Sequence, residues 1–107
     1  MTDEILEALE ILHEGDVLTT LSEIFQALSD PTRLEIICCL GRRPMYVEEL
    51  AMALNKSQSS VSHQLRTLRN LRLVKFVKDG RRSIYELDDD HVHELFHQGL
   101  EHARHKH

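Results

Sequence analysis

The stretch Ser57-Gln58-Ser59-Ser60-Val61-Ser62-His63-Gln64-Leu65-Arg66-Thr67-Leu68-Arg69-Asn70-Leu71 decides the fold. At about 100° per residue, Val61, Leu65 and Leu68 fall on one side of a helix and Ser59, His63, Arg66, Thr67 and Asn70 on the other. Ser57 precedes the run as a good N-cap, so the pattern predicts a helix over about 58–71. Its outer face is polar, partly basic and free of acids. A merely solvated face usually mixes glutamate with lysine or arginine, and this helix has no glutamate at all. Such a face suits the major groove of DNA.

Upstream, Val47, Leu50, Ala51 and Leu54 mark a short helix, and Asn55-Lys56-Ser57 forms the turn between the two. Short helix, tight polar turn and second helix predict a helix-turn-helix over about 47–71. Downstream the period changes from helical to alternating. Val74-Lys75-Phe76-Val77-Lys78 and Ser83-Ile84-Tyr85-Glu86-Leu87 flank Asp79-Gly80, whose residues both tolerate positive φ, so a hairpin turn is expected there. A hairpin at about 73–87 directly after a helix-turn-helix is a wing. The expected DNA contacts are Lys56, Gln58, Ser59, Ser60, His63, Arg66 and Thr67, with Lys78, Arg81 and Arg82 around the wing tip for phosphate or the minor groove.

Farther out, Ile5, Leu9 and Leu12 predict a first helix stopped by Gly15. Asp16 is expected to cap a second helix carrying Val17, Leu21, Ile24, Phe25 and Leu28. Asp30-Pro31 starts a third that ends near Gly41. One of Asp88, Asp89 or Asp90 starts the last helix, about 89–104. The 107 residues suit a single, mainly helical domain over 1–107 with a β-hairpin wing and with dimerisation helices at both ends. No run of about 18 apolar residues predicts a membrane span. The acidic start, Met1-Thr2-Asp3-Glu4, lacks the order of a secretion signal, so a cytoplasmic protein with no membrane partner is expected.

Net charge is −5, but its distribution matters more. Eight bases (Lys56, Arg66, Arg69, Arg72, Lys75, Lys78, Arg81, Arg82) and one acid, Asp79, lie between residues 55 and 82. Residues 1–30 hold eight acids and no lysine or arginine. A basic block inside an acidic chain is the footprint of a nucleic-acid partner. Cys38 and Cys39 are adjacent in an apolar run and are read as two buried small residues. A redox-sensing repressor built on that pair is the alternative function, but adjacent cysteines in a helix pair only with strain.

Six of eight histidines lie from His91 onward. With His91 at 0°, His102 falls at about 20° and His105 at about 320°, one narrow stripe. Eleven residues of helix rise about 16 Å, so His91 and His102 of one helix cannot hold the same ion at bond lengths of about 2 Å. If the helix pairs antiparallel with a second copy, Asp89 and His91 of one chain meet His102 and His105 of the other, and two-fold symmetry gives two sites per dimer. Three imidazoles and a carboxylate suit zinc, or cobalt. The alternative is a solvated histidine-rich tail. His93 and His97 fall off the stripe and are expected to face solvent, and His13 and His107 lie near the ends.

Ala27-Leu28-Ser29-Asp30-Pro31-Thr32-Arg33-Leu34, Ser57 to Leu65 and Gly80-Arg81-Arg82-Ser83-Ile84-Tyr85 resemble the ArsR/SmtB family of metal-responsive repressors. That resemblance covers almost the whole chain from Leu21 onward. It implies a winged helix-turn-helix homodimer whose apo form holds double-stranded operator DNA and whose metal form releases it, controlling metal efflux or homeostasis genes. It also implies an inter-subunit zinc site on the last helix, at Asp89, His91, His102 and His105. The family's thiolate sites need a Cys-Val-Cys-type motif, and this chain has Met45-Tyr46-Val47 there. A metal-storage protein without an operator conflicts with the basic helix. No phosphate loop, activated nucleophile or open metal triad suggests an enzyme.

Overall fold

A computed structural model describes residues 2–105. Six helices and three short strands follow in the order α1 (Asp3–Leu12), α2 (Val17–Leu28), α3 (Pro31–Leu40), β1 (Met45–Tyr46), α4 (Val47–Leu54), α5 (Gln58–Asn70), β2 (Val74–Asp79), β3 (Arg82–Leu87) and α6 (Asp90–His105). None of the described helices is long and apolar enough to cross a membrane.

Local chemistry explains most boundaries. Asp30 caps α3 through a bond from the Arg33 amide at 3.0 Å, with Pro31 in the first turn. Ser57 caps α5 by accepting from the Ser60 amide at 3.1 Å. Asn55 takes the left-handed conformation, φ 54°, which ends α4 and turns the chain into α5. Asp16 departs from expectation. It precedes α2, but its backbone (φ −106°, ψ 20°) is not extended and its side chain makes no capping bond.

The helix-turn-helix is α4 and α5, with Val61, Leu65 and Leu68 fully buried as their spacing requires. They meet Ile36, Ile37 and Leu40 of α3, Leu50 and Ala51 of α4, and Leu73 and Val74 at the entry to the wing. The wing itself is antiparallel, with strand order β1-β3-β2. Register corrects the expected turn by one residue. Asp79 pairs with Arg82, so the turn residues are Gly80 and Arg81. Only Gly80 has positive φ, at 66°, the pattern of a hairpin with glycine first. The two-residue β1 was not expected from sequence; it pairs Met45 with Tyr85 and Tyr46 with Ile84.

The ends of the chain are less enclosed. No residue of α1 is buried, and Ile5, Leu6 and Leu9 lie open. On α6 only Val92 is buried, with Phe96 packed partly on the core. An apolar groove of about 620 Å³ runs between α6, α2 and α3, lined by Phe25, Leu34, Leu95, Leu100 and His102 among others.

Candidate nucleic-acid interface and metal centre

The packing of α5 leaves its opposite face to solvent. Lys56, Gln58, Ser59, His63 and Arg66 are exposed, and Ser60 and Thr67 sit half-buried at the edges. Three of these residues are already engaged: the Ser60 amide donates to Ser57 Oγ, the Ser59 and Ser57 hydroxyls lie 3.3 Å apart, and Thr67 Oγ1 donates to the His63 carbonyl at 3.4 Å. Gln64 also has a partner. Arg33 Nε donates to its Oε1 at 2.7 Å while Arg33 Nη1 donates to the Ala27 carbonyl at 3.1 Å. One guanidinium thus ties the end of α2 and the start of α3 to α5. The Arg69 guanidinium lies 4.8 Å from the Phe76 ring centroid and links α5 to the wing.

On the wing, Lys78 and Arg81 are exposed, with Lys78 Nζ 6.0 Å from the Phe76 ring centroid. Arg82 is not free at the tip as the sequence suggested. Its Nε donates to Glu48 Oε1 at 2.6 Å, and its guanidinium stacks 3.5 Å from the Tyr46 ring centroid. Tyr46, Glu48, Arg33 and Gln64 were missed as positioning groups. Their partners lie 31 to 34 residues away, so no local pattern announces them.

Electrostatics around β1 follow from these bonds. The Tyr46 hydroxyl donates to Asp79, and that bond is the main reason its phenol is held above the ordinary range. Glu49 accepts from the Tyr46 amide at 3.0 Å and from Arg43 at 3.1 Å, which holds its carboxyl below the ordinary range.

The proposed metal ligands stand at opposite ends of α6. Asp89 Oδ1 accepts from the backbone amides of His91 at 2.9 Å and Val92 at 3.3 Å, so this carboxylate caps the helix. Oδ2 lies 3.5 Å from His91 Nδ1, and the His91 side chain is 92% exposed. His102 lines the apolar groove, and His105 Nε2 lies 3.3 Å from Glu101 Oε2. Among the described residues no three metal-ligating side chains of one chain converge. Asp89 with His91 and His102 with His105 thus stand at opposite ends of α6, two candidate donors at each.

His93 and His97 are exposed with parallel rings 6.3 Å apart, as expected for solvent-facing residues, and His13 is exposed at the end of α1. His107 lies outside the described residues. The cysteine pair departs from expectation: Cys38 is exposed and Cys39 half-buried. Ile36, Ile37 and Leu40 take the inner face of α3, which turns Leu34 and Cys38 outward. Burial pushes the Cys39 thiol up, and the neighbouring Cys38 and Glu35 charges add to it. Iodoacetamide should therefore alkylate Cys38 at least about tenfold faster than Cys39, and Cys38→Ser should remove the fast phase in a mass-spectrometric time course. Equal rates for the two thiols would contradict their different burial.

Similarity to known proteins agrees with this geometry. Residues 30–75 match the family described as bacterial regulatory protein, arsR family. The transcriptional repressor SmtB homolog of Synechocystis sp. is 44% identical over 89 residues, spanning 83% of this chain and 67% of that protein. The HTH-type transcriptional regulator NmtR of Mycobacterium tuberculosis is 44% identical over 94 residues, spanning 88% and 78%. Among solved structures, the homodimeric winged helix-turn-helix DNA-binding domain Mb0332 of Mycobacterium bovis superposes with a TM-score of 0.79 at 25% identity, covering 86% of this chain and 89% of that one. These are regulators of transcription, not enzymes. On the helix-turn-helix, the wing and this similarity together, the chain belongs to the ArsR family of bacterial regulatory proteins.

Proposed function

We propose that this protein is a metal-responsive transcriptional repressor, a homodimer that binds operator DNA in its apo form and is released by zinc or cobalt. The carrying observation is the division of α6 into two half-sites beside an open apolar groove, since His102 lines that groove. A second α6 laid antiparallel into it covers Leu95 and Leu100, now exposed at 36% and 38%, and brings complementary half-sites together. Exposed Ile5, Leu6 and Leu9 make α1 the second dimerisation element.

Asp89 and His91 of one protomer and His102 and His105 of the other would hold each of two ions per dimer. The bound ion supplies a coordinate cross-link between protomers and no bond-breaking chemistry. The set has three nitrogens and one oxygen but no thiolate, which favours zinc or cobalt over cadmium or lead. Meanwhile α6 packs on α3, and α3 packs on α5. Cross-linking the two α6 helices thus bears, through α3 and the Arg33–Gln64 bond, on the spacing of the two recognition helices. Release requires tighter ligation in the DNA-free dimer than in the DNA-bound one, a coupling of about 1–3 kcal/mol in typical cases.

On the DNA side, the proposed contacts are Lys56, Gln58, Ser59, Ser60, His63, Arg66 and Thr67, with Lys78, Arg81 and Arg82 from the wing. Gln58 and Ser59 at the start of α5 approach base edges, as the first residues of such helices do. The alternative of thiol-based sensing has less support, because Cys38 and Cys39 are adjacent on one helix and differ in exposure.

Fluorescence anisotropy of the metal-free protein on DNA from upstream of its own gene tests the reading, repeated with two zinc ions per dimer. Tight, salt-dependent binding that zinc weakens about 5- to 150-fold is expected. Binding that ignores both zinc and cobalt would overturn the metal half of the proposal.

A further inference from the structure

The wing is fastened to the start of α4 through Arg82 and three side chains outside the proposed DNA contacts and metal ligands, Tyr46, Glu48 and Asp79. Arg82 follows the Gly80-Arg81 turn, and its Nε and Nη2 both reach Oε1 of Glu48. Its guanidinium lies flat enough over Tyr46 to place Cζ 3.5 Å from the ring centroid. Tyr46 in turn donates its hydroxyl to Asp79, the residue opposite Arg82 across the hairpin. Asp79 is the one acid between residues 55 and 82. With Tyr46 on that carboxylate, Arg82 is directed to Glu48 instead.

This arrangement is ordered yet open. The Arg82 and Glu48 side chains are 52% and 42% exposed, so water and other anions reach the pair. Exposed ion pairs are weakly held and exchange readily. A carboxylate and a DNA phosphate offer a guanidinium the same recognition, charged oxygens spaced for paired N–H donors. Arg82 is also the wing cation nearest the turn that already has a carboxylate on it, whereas Arg81 is exposed in the turn itself.

We infer that Glu48 is an internal substitute for DNA phosphate: it holds Arg82 over Tyr46 in the free protein and surrenders it to the backbone when DNA docks. Glu48 then sets DNA affinity from outside the contact surface, lowering it by competition while keeping the Arg82 side chain ordered. Tyr46 is the positioning residue, because its ring and hydroxyl separate Arg82 from Asp79. The inference rests on the proposed DNA-binding role.

The test uses full-length wild type, Glu48→Gln, Arg82→Gln and the double variant. Anisotropy titrations on a random-sequence duplex and on the upstream DNA run from 50 to 200 mM salt, about the range over which phosphate contacts dominate. Glu48→Gln should tighten binding about 3- to 5-fold at low salt, the upper part of the range for one exposed charge contact. The slope of log K against log salt should steepen by up to about 0.9, one phosphate's worth. In the Arg82→Gln background the gain should shrink below about twofold, which a purely structural role of Glu48 does not predict. Unchanged or weaker binding by Glu48→Gln would overturn the inference, with thermal melts confirming that the variant is folded. An equal gain with and without Arg82 would also overturn it, because Glu48 would then act through its field alone. Wild type that binds no duplex at any salt overturns the DNA role itself and this inference with it.

Discussion

His102→Ala is expected to leave the DNA affinity of the metal-free protein within about twofold of wild type and to remove the response to zinc. The separation follows from where His102 stands. It is exposed on α6 and lines the apolar groove beside Leu95, Gly99 and Ala103. The residues proposed to face DNA lie on α5, the turn before it and the wing, whereas α6 packs on α3 and on β3, the wing strand that begins at Arg82. Truncating an exposed imidazole removes no core packing, so the recognition helix keeps its place. On the metal side, one of four donors is lost from each site in the proposed dimer. A loss of at least about 100-fold in zinc affinity is expected, about 2.8 kcal/mol at 1.4 kcal/mol per tenfold. Cobalt titration followed by its visible absorption reads the site, and anisotropy reads the DNA. Loss of DNA binding without metal would show that His102 is structural. An intact zinc response would place the sensing ligands elsewhere on the chain.

The fold was legible where chemistry is local. Ser57 and Asp30 cap the helices they precede, and the Val61, Leu65 and Leu68 spacing chose the buried face of α5 correctly. Errors arose where one residue of register or a distant partner decides. The hairpin turns at Gly80-Arg81 because Asp79 still pairs with Arg82, whereas Asp79-Gly80 alone reads as a turn. Met45-Tyr46 becomes a strand only because β3 offers an edge about 40 residues later. The run Leu34-Glu35-Ile36-Ile37-Cys38-Cys39-Leu40 is apolar nearly throughout, so composition could not tell that Leu34 and Cys38 face outward. At the interface, the acid-free face of α5 was visible in sequence because a helix displays its period. The Tyr46–Asp79 and Glu48–Arg82 contacts were invisible, since ordinary residue types meet there only after folding. Ligand spacing on α6 was readable because a helix fixes its rise, and it separates His91 from His102 by about 16 Å.

Leu95→Glu is expected to split the dimer, and with it to lose both zinc binding and operator affinity. Leu95 lines the groove with Phe25, Leu28 and Phe96, and 36% of it is exposed in the single chain. Leu95 lies outside the core cluster, so the monomer should keep its fold and its circular dichroism. In a two-fold dimer each substitution counts twice, and each places a carboxylate among apolar side chains. An uncompensated buried charge costs about 3–5 kcal/mol, so the dimer constant should weaken by at least about 100-fold. Sedimentation at micromolar concentration should then show the mass of one chain. Each monomer retains Asp89 with His91 at one end of α6 and His102 with His105 at the other, two donors apiece. That leaves neither end with the four ligands a tetrahedral ion takes. DNA binding should fall by orders of magnitude as well, because a monomer engages one half-site where the dimer engages two. A Leu95→Glu protein that stays dimeric would move the seam off α6 and take the inter-subunit metal site with it. A monomer that still binds zinc tightly would keep the seam but require a site within one chain.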